Sequence, residues 1–433
     1  MADVPFVEQL WVGLGGDPAR LSQLRVTGPE TVLPSVYDVT GFAAATIGVA
    51  MLAAAELRGD GGPVEVDRWQ AAAVFVAETL FRPEGWEREP AWDPIAGDYP
   101  AADGWVRLHT NYASHRAAAL WALDCGPDDV AAVVASRPAA DVEADVVARG
   151  GAAAAMHDRA GWRAHRHGAV AIEQPIAFGH GEGEGRPRDG DDGLRVVDLT
   201  RVIAGPECTR FLAATGADVL RIDPPGFDEV PALLPETTAG KRCAFLDLRA
   251  DADRFDALVR DADVLVCGLR PGAVDLDRVR AVNPSIVVAR LDAYGWAGPW
   301  AGRRGFDSLV QMSTGIAARG QEVYGTDRPR PLPAQALDHG AGFALAAGVL
   351  RAVSKLRRNR VVVDVYASLV GAANVLIGAG EVADPDRSSL DWPDELFESV
   401  TTAWGPARRV RQPRGTGPIE PGPLGRDDPV WIE

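Results

Sequence analysis

Basic residues are in short supply in this chain of 433 residues: 44 Lys and Arg stand against 61 Asp and Glu, a formal charge of −17. An excess of that sign repels phosphate backbones, which argues against nucleic acid as a main partner but leaves room for a local basic pocket around one phosphorylated ligand. Cysteine is scarce too. The four are Cys125, Cys208, Cys243 and Cys267, with no CxxC pair and no histidines at zinc-ligand spacing beside them. A disulfide scaffold and a metal site are therefore not expected, and free thiols in a reducing compartment are. The opening residues lack a basic stretch followed by an apolar core, so no signal peptide is read. The most apolar run, Gly41 to Leu57, is Ala-rich, closed by Glu56 and Arg58, and short for a membrane span. No GxGxxG occurs, which disfavours a dinucleotide. A cytoplasmic protein with neither membrane nor nucleic-acid partners is the expectation.

What is present is material for a large core: 47% of residues are hydrophobic and 24% charged, enough for two or three domains. From Leu194 the chain alternates apolar runs with helical spacing. LRVVDLT reads as a strand, GPECTRFLAATGA as a helix, DVLRIDPP as a strand, then ADVLVCGL and PSIVVARLDAYG as two more. Strands alternating with amphipathic helices predict an α/β fold with a Rossmann-like parallel sheet over residues 194–380. WDPIAGDYPAADGWVRLHTNYASHRAAALWAL, with turn signals at Gly97 and Asp103-Gly104, predicts a smaller α+β domain over residues 85–178. The Gly- and charge-rich stretch 179–193 reads as a linker, and residues 381–433 as an extended tail anchored by Trp404 and Trp431.

Residues 1–84 look like a partial internal duplication. VYDVTGFAAATIGVAMLAAAEL resembles ALDHGAGFALAAGVLRAVSKL, with Asp38 and Asp338 lying 300 positions apart and Gly48-Val49 matching Gly348-Val349. Each is followed by a strand-like run, PVEVD and RVVVD, which pairs Asp67 with Asp364.

Seven segments in order carry a resemblance: LRVVDLTRVIAGPECTRFLAATGADVLRIDPP, AGKRCAFLDL, ADVLVCGLRPGAVD, NPSIVVARLDAYGWAGP, GFDSLVQMSTGIA, ALDHGAGFALAAGVL and the strand after it. Together they resemble the family III CoA transferases, with a partial second copy placed first. The resemblance implies transfer of CoA from an acyl-CoA to a carboxylic acid, no permanently bound cofactor, CoA or acyl-CoA as substrate, and a homodimer. It implies that Asp338, in the family's D-x-x-x-G helix start, is the nucleophile. A carboxylate attacking a thioester gives a mixed anhydride, and each difficult step becomes two easier ones. The bland reading of Asp338 is a helix N-cap, which any protein uses. Asp38 is read as such a cap. Gly340 and Gly342 are expected to admit the acyl group, and Gly205 to open a phosphate-friendly helix start.

By position in the family, CoA contacts fall on Ile203, Ala204, Lys241, Arg242, Leu246, Arg249 and Arg270. Several positions depart from the family pattern: Pro224 follows Asp223, Leu276 replaces a basic residue with Arg278 nearby, and Asp292 stands where some members carry Lys. A racemase acting on 2-methylacyl-CoA is the nearest alternative, but its catalytic His corresponds to Phe306, before Asp307, and a phenyl ring moves no proton. His339 is adjacent to Asp338 and expected to point elsewhere. His109 and His115 form at most an entrance contact, and His157, His165 and His167 a polar helix face. A non-catalytic CoA-binding scaffold is the third possibility.

Overall fold

A computed structural model describes residues 6–188, 193–383, 391–413 and 419–432. Strand β1 (Leu24–Thr27) and strand β2 (Val64–Asp67) pair in parallel, joined by the helix Val39–Arg58. This helix is long and apolar enough to cross a membrane, yet 94% of its most apolar window is buried inside the protein. It is a core helix, apolar on every side because protein surrounds it on every side.

After β3 (Arg82–Pro83), strands β4 (Gly97–Ala101), β5 (Gly104–Leu108) and β6 (Ala153–Ala155) make an antiparallel sheet. Helices Ala113–Leu123, Val130–Ala135 and Ala139–Ala148 cover it around Val106, Leu108, Val134, Val142 and Val146. The tight turn at Ala102-Asp103 explains why this hairpin is readable from sequence.

The main sheet holds β7 (Ala177–Glu184), β8 (Arg195–Leu199), β9 (Asp218–Asp223), β10 (Arg242–Phe245), β11 (Val264–Cys267), β12 (Val287–Asp292) and β13 (Val361–Ser368). Their order is β10-β9-β8-β11-β12-β13-β7, parallel throughout except for β7 at the edge. Strands such as β11, buried on both faces, are continuous runs of Val, Leu and Cys, the usual signature of a covered parallel sheet. The strand order reverses between β8 and β11, and the loops after the carboxyl ends of such strands are where open α/β sheets bind ligands.

Two expectations about the connections need correction. Residues 179–193 are not a linker throughout, because β7 pairs with β13 from Ala177 to Glu184; residues 189–192 lie outside the described residues. The expected extended tail over residues 381–433 is structured in its described part; residues 384–390, 414–418 and 433 lie outside the described residues. Strands β14 (Phe397–Thr402) and β15 (Gly405–Val410) form a hairpin that adds β3 at its edge. Trp404 stacks near Trp86, and Trp431 donates its indole N–H to Leu258 O at 3.0 Å.

In keeping with the two similar segments, each long helix, Val39–Arg58 and Ala336–Asn359, is followed by a strand of a parallel pair, and the two helices pack extensively on each other. Gly48 and Gly348 play the same part in the two helices. A Cβ at Gly48 would lie 3.1 Å from Leu24, and one at Gly348 only 2.4 Å from Val365, so each glycine lets its helix rest on its own strands. The strand correspondence differs from the expected one. Asp67 caps the helix that follows β2, accepting from Gln70 N–H at 3.1 Å, and its counterpart is Ser368, which accepts from Gly371 N–H at 3.1 Å after β13. Asp364 sits in mid-strand and holds Arg280 instead. The first unit's strands also keep a two-stranded sheet of their own rather than joining the main one.

Candidate active site

A cleft of about 610 Å³ opens at the carboxyl ends of β8 and β11, with the small domain forming its other wall. Thr200 to Ala204 line it after β8, Gly268 to Ala273 after β11, and Asp338 closes it from the start of helix Ala336–Asn359. Tyr112, Ser114 and His115 face them from the small domain.

Asp338 and Asp38 share a sequence context but not a role. Asp38 caps its helix, accepting from Gly41 N–H at 2.7 Å. Asp338 is in the first turn, and that turn is capped from elsewhere: Asp307 Oδ2 accepts from Leu337 N–H at 2.8 Å and from Asp338 N–H at 3.1 Å. With the cap supplied by Asp307, the Asp338 carboxyl has no hydrogen-bond partner among the described residues and faces the cleft, 7% exposed. Burial and the nearby Asp307 carboxyl push Asp338 well above the usual carboxylate range, while His339 draws it back down. Burial raises Asp307 to about 6.

His339 points away from the cleft. Its ring stacks on Phe75 and lies 3.2 Å from Glu78 and 3.3 Å from Glu207. Burial alone would lower its pKa, but the two carboxylates win and raise it to about 10, so it is an imidazolium at neutral pH.

The loop before helix Ala204–Ala214 is strained. Val202 holds φ at 67°, a left-handed conformation that β-branched residues avoid. Glu229 secures it, accepting from Val202 N–H at 3.1 Å and from the Tyr112 hydroxyl at 2.6 Å. No side chain caps this helix, so its first N–H groups stay open beside Ile203 and Ala204 in the cleft wall. Gly205 serves packing here, since a Cβ would lie 2.2 Å from Thr200.

Of the positions expected to contact CoA, Ile203, Ala204, Arg249 and Arg270 share the cleft with Asp338. Arg249 and Arg270 make no ion pair with any described residue. The other three lie elsewhere. Lys241 is fully buried, with Nζ 3.1 Å from Asp198 Oδ2 and 2.9 Å from Pro206 O. Arg242 grips Asp218 at 2.8 Å and the Val430 carbonyl at 2.5 Å. Leu246 is packed in the core beneath β8 and β9. The glycines of helix Ala336–Asn359 also need a new account. A Cβ at Gly340 would lie 2.2 Å from the Phe42 ring, and one at Gly342 2.5 Å from Ala204 O. They let three helices meet, rather than admitting a substrate.

Sequence reasoning missed Arg201, Arg303, Arg304, Tyr112 and Phe227 on the cleft wall. Arg201 lies 3.7 Å from the Phe227 ring centroid. Phe306 lies flat against His109, with ring centroids 3.6 Å apart. Burial, then Arg304 and Arg270, lower His115 to about 4, and burial takes His109 to about 3. Both imidazoles are neutral. The His115 Nδ1 has no hydrogen-bond partner among the described residues. Asp292 ends β12 in the cleft wall, raised to about 6 by burial although it accepts from Tyr294 and Gly295 N–H at 2.8 Å. Arg278, near the absent basic position, is spent on Asp256 at 2.7 Å.

Residues 192–385, which carry both Asp307 and Asp338, match the model for CoA-transferase family III. This segment, less than half of the chain, is similar to CoA-transferase family III. The CoA-transferase/lyase DddD of Marinomonas sp. is 32% identical over 199 residues, covering 42% of this chain and 23% of that protein. The probable fatty acyl-CoA transferase Rv3272 of Mycobacterium tuberculosis is 28% identical over 246 residues, covering 52% of this chain and 60% of the relative. A crystal structure of Rv3272 aligns at 29% identity with a TM-score of 0.38, over 45% of this chain and 57% of that one. The chain thus spans between 23% and 60% of the length of these two relatives. The matched segment supplies the main sheet from β8 to β13 and the Asp338 helix, whereas the small domain and the first β–α–β unit lie outside it.

Proposed function

We propose that this protein transfers CoA from an acyl-CoA to a carboxylic acid, with Asp338 as the nucleophile. The observation that carries the reading is an unpartnered Asp338 carboxyl in a cleft that also presents Arg249 and Arg270, which make no ion pair with any described residue. Guanidinium forks suit the phosphate oxygens of CoA. In the first step the Asp338 carboxylate attacks the thioester carbonyl, the C–S bond breaks, and CoA leaves as a thiolate from a mixed anhydride. The thiolate then attacks the aspartyl carbonyl, releasing the donor acid and leaving an aspartyl–CoA thioester. The acceptor carboxylate reverses the sequence, and its own acyl-CoA departs. Thioester and anhydride are both activated, so the free energy of the thioester is conserved. CoA and acyl-CoA are substrates in this reading, and no bound cofactor takes part. Open N–H groups at the start of helix Ala204–Ala214 would stabilise the oxyanion. The cytoplasm and a homodimer complete the proposal; four free cysteines are compatible with a reducing setting.

The test is acyl exchange across a panel of acyl-CoAs and acids, with hydroxylamine trapping of the aspartyl thioester. Asp338→Asn should abolish exchange and trapping while CoA still raises the melting temperature. Turnover near wild type in that variant would refute the assignment. No thermal shift with any CoA compound would favour the scaffold reading instead. A second reading, α-proton exchange on the acyl-CoA, is favoured by one observation. His115 is neutral, lacks a hydrogen-bond partner at Nδ1 among the described residues and lines the same cleft as Asp338, although Phe306 supplies no proton carrier. Deuterium uptake from D2O into a 2-methylacyl-CoA without exchange would identify it.

A further inference from the structure

The region before the matched segment places a carboxylate on the far side of the nucleophile's helix. Helix Ala77–Leu80 belongs to that region and carries Glu78. Its carboxylate lies 3.2 Å from His339 Nε2, and Phe75 of the same region stacks on the His339 ring with centroids 5.2 Å apart. His339 follows Asp338 directly in the chain, and its two ring nitrogens are bracketed by carboxylates, Glu78 on one side and Glu207 at 3.3 Å on the other. We propose that Glu78 is a positioning residue for the CoA-transfer reaction, acting on Asp338 through His339. The inference rests on Asp338 being the nucleophile.

The physical case is one of charge balance in a dry place. Three carboxylates meet behind the helix start: Glu78, Glu207 of helix Ala204–Ala214, and Glu236 of helix Leu234–Thr237. Arg210 answers Glu207 at 2.6 Å and Glu236 at 2.5 Å. Arg88 donates to the Glu78 main-chain carbonyl at 2.6 Å, which leaves the Glu78 carboxylate to His339. Arg88 acts on both Glu78 and Glu236, and Arg409 on Glu236; the His339 imidazolium is the positive charge placed directly against both Glu78 and Glu207. On the cleft side, Asp338 faces Asp307, which disfavours a second negative charge. A nucleophile must be ionised to attack. His339 is the adjacent positive charge that favours the Asp338 carboxylate, and Glu78 holds the proton on His339 and the ring in place. The Glu78 carboxylate also repels Asp338 directly, though more weakly than His339 attracts it. Removing the Glu78 charge should weaken His339 as a counter-charge by more than it relieves that repulsion, so a smaller fraction of Asp338 is ionised wherever His339 has lost its proton.

The experiment is the pH–rate profile of acyl exchange by the full-length protein, wild type against Glu78→Gln, with Asp338→Asn as the control for the reaction itself. Glu78→Gln should move the acidic limb upward by about one pH unit. That lowers kcat about tenfold on the limb and leaves the alkaline plateau within about twofold. KM for the acyl-CoA should not change. A uniform fall at every pH, or an unmoved limb, overturns the proposal while leaving the nucleophile assignment standing. Exchange by Asp338→Asn removes the reading beneath it, a separate failure. If Glu78→Gln does not fold, Glu78→Asp keeps the charge and withdraws it by one methylene. A folded Glu78→Asp protein of reduced activity whose acidic limb coincides with wild type overturns the proposal as well.

Discussion

Replacing Lys241 by methionine separates two readings of one residue. From sequence it is a phosphate ligand; in the structure its Nζ is buried between Asp198 Oδ2 at 3.1 Å and the Pro206 carbonyl at 2.9 Å, with no exposure of either charged side chain. Methionine fills nearly the same volume but leaves Asp198 buried without its counter-charge. Asp198 retains bonds from Thr200 N–H at 2.9 Å and from the Thr209 hydroxyl at 2.5 Å, so part of the carboxylate stays solvated by the protein. Breaking one partner of a buried pair costs about 3–5 kcal/mol. Unfolding a chain of this size carries an entropy of roughly 0.9 kcal/mol/K, so the melting temperature should fall by about 3–6 °C. Differential scanning calorimetry reads that shift, and isothermal titration with CoA at low temperature reads affinity on the folded fraction. Affinity should stay within about threefold of wild type. An unchanged melting temperature together with CoA affinity lost by tenfold or more would refute the structural reading and restore Lys241 to the ligand set.

Arg270→Ala should weaken CoA about 10- to 100-fold in the same titration, since a charge-assisted bond contributes about 1.5–3 kcal/mol; Arg242→Gln, committed to Asp218, should leave affinity unchanged. Gly342→Ala drives a methyl into Ala204 O, 2.5 Å away, and against Glu207 Cβ at 2.9 Å. Overpacking of that kind costs about 1–3 kcal/mol and separates the two helix starts that face the cleft, so both melting temperature and exchange rate should fall. Stability should also decline on acidification. His109 and His115 have folded pKa values of about 3 and 4, below the unfolded value of about 6.5. The unfolded chain therefore takes up protons first, and stability is lost as pH falls from about 6.5 toward 4. Urea midpoints at pH 7 and pH 5 measure the loss, and His109→Asn should flatten it.

The alternating segment from Leu194 onward was legible because strands such as β8 and β11 are short runs rich in Val and Leu and buried along almost their whole length. Strand β7 was not. AFGHGEGE joins the sheet at an edge, through backbone bonds to β13, and all but its first two residues are exposed, so it carries no apolar signal. The hairpin of β14 and β15 was hidden for a similar reason, as its partner β3 is only two residues long and more than 300 positions earlier. At the site, the motif led to Asp338, but the residue that frees it did not declare itself. Asp307 was considered only as the neighbour of a missing histidine, and its capping of a helix 30 residues away depends on tertiary contact. Lys241 and Arg242 show the opposite error. A basic residue in a loop beside a phosphate site looks the same in sequence whether its partner is a ligand or a buried aspartate 43 positions away.

The packing of the two long helices has a consequence for how the protein is made. Helix Val39–Arg58 has almost no polar face, and the surface it is built to meet is not synthesised until Ala336–Asn359 has emerged. At translation rates of about 5–20 residues per second, roughly 300 residues of waiting amounts to about 15–60 s. During that interval an apolar helix stands beside the ribosome without its partner. It is a natural client for a holding chaperone, and the second half of the chain releases it by arriving.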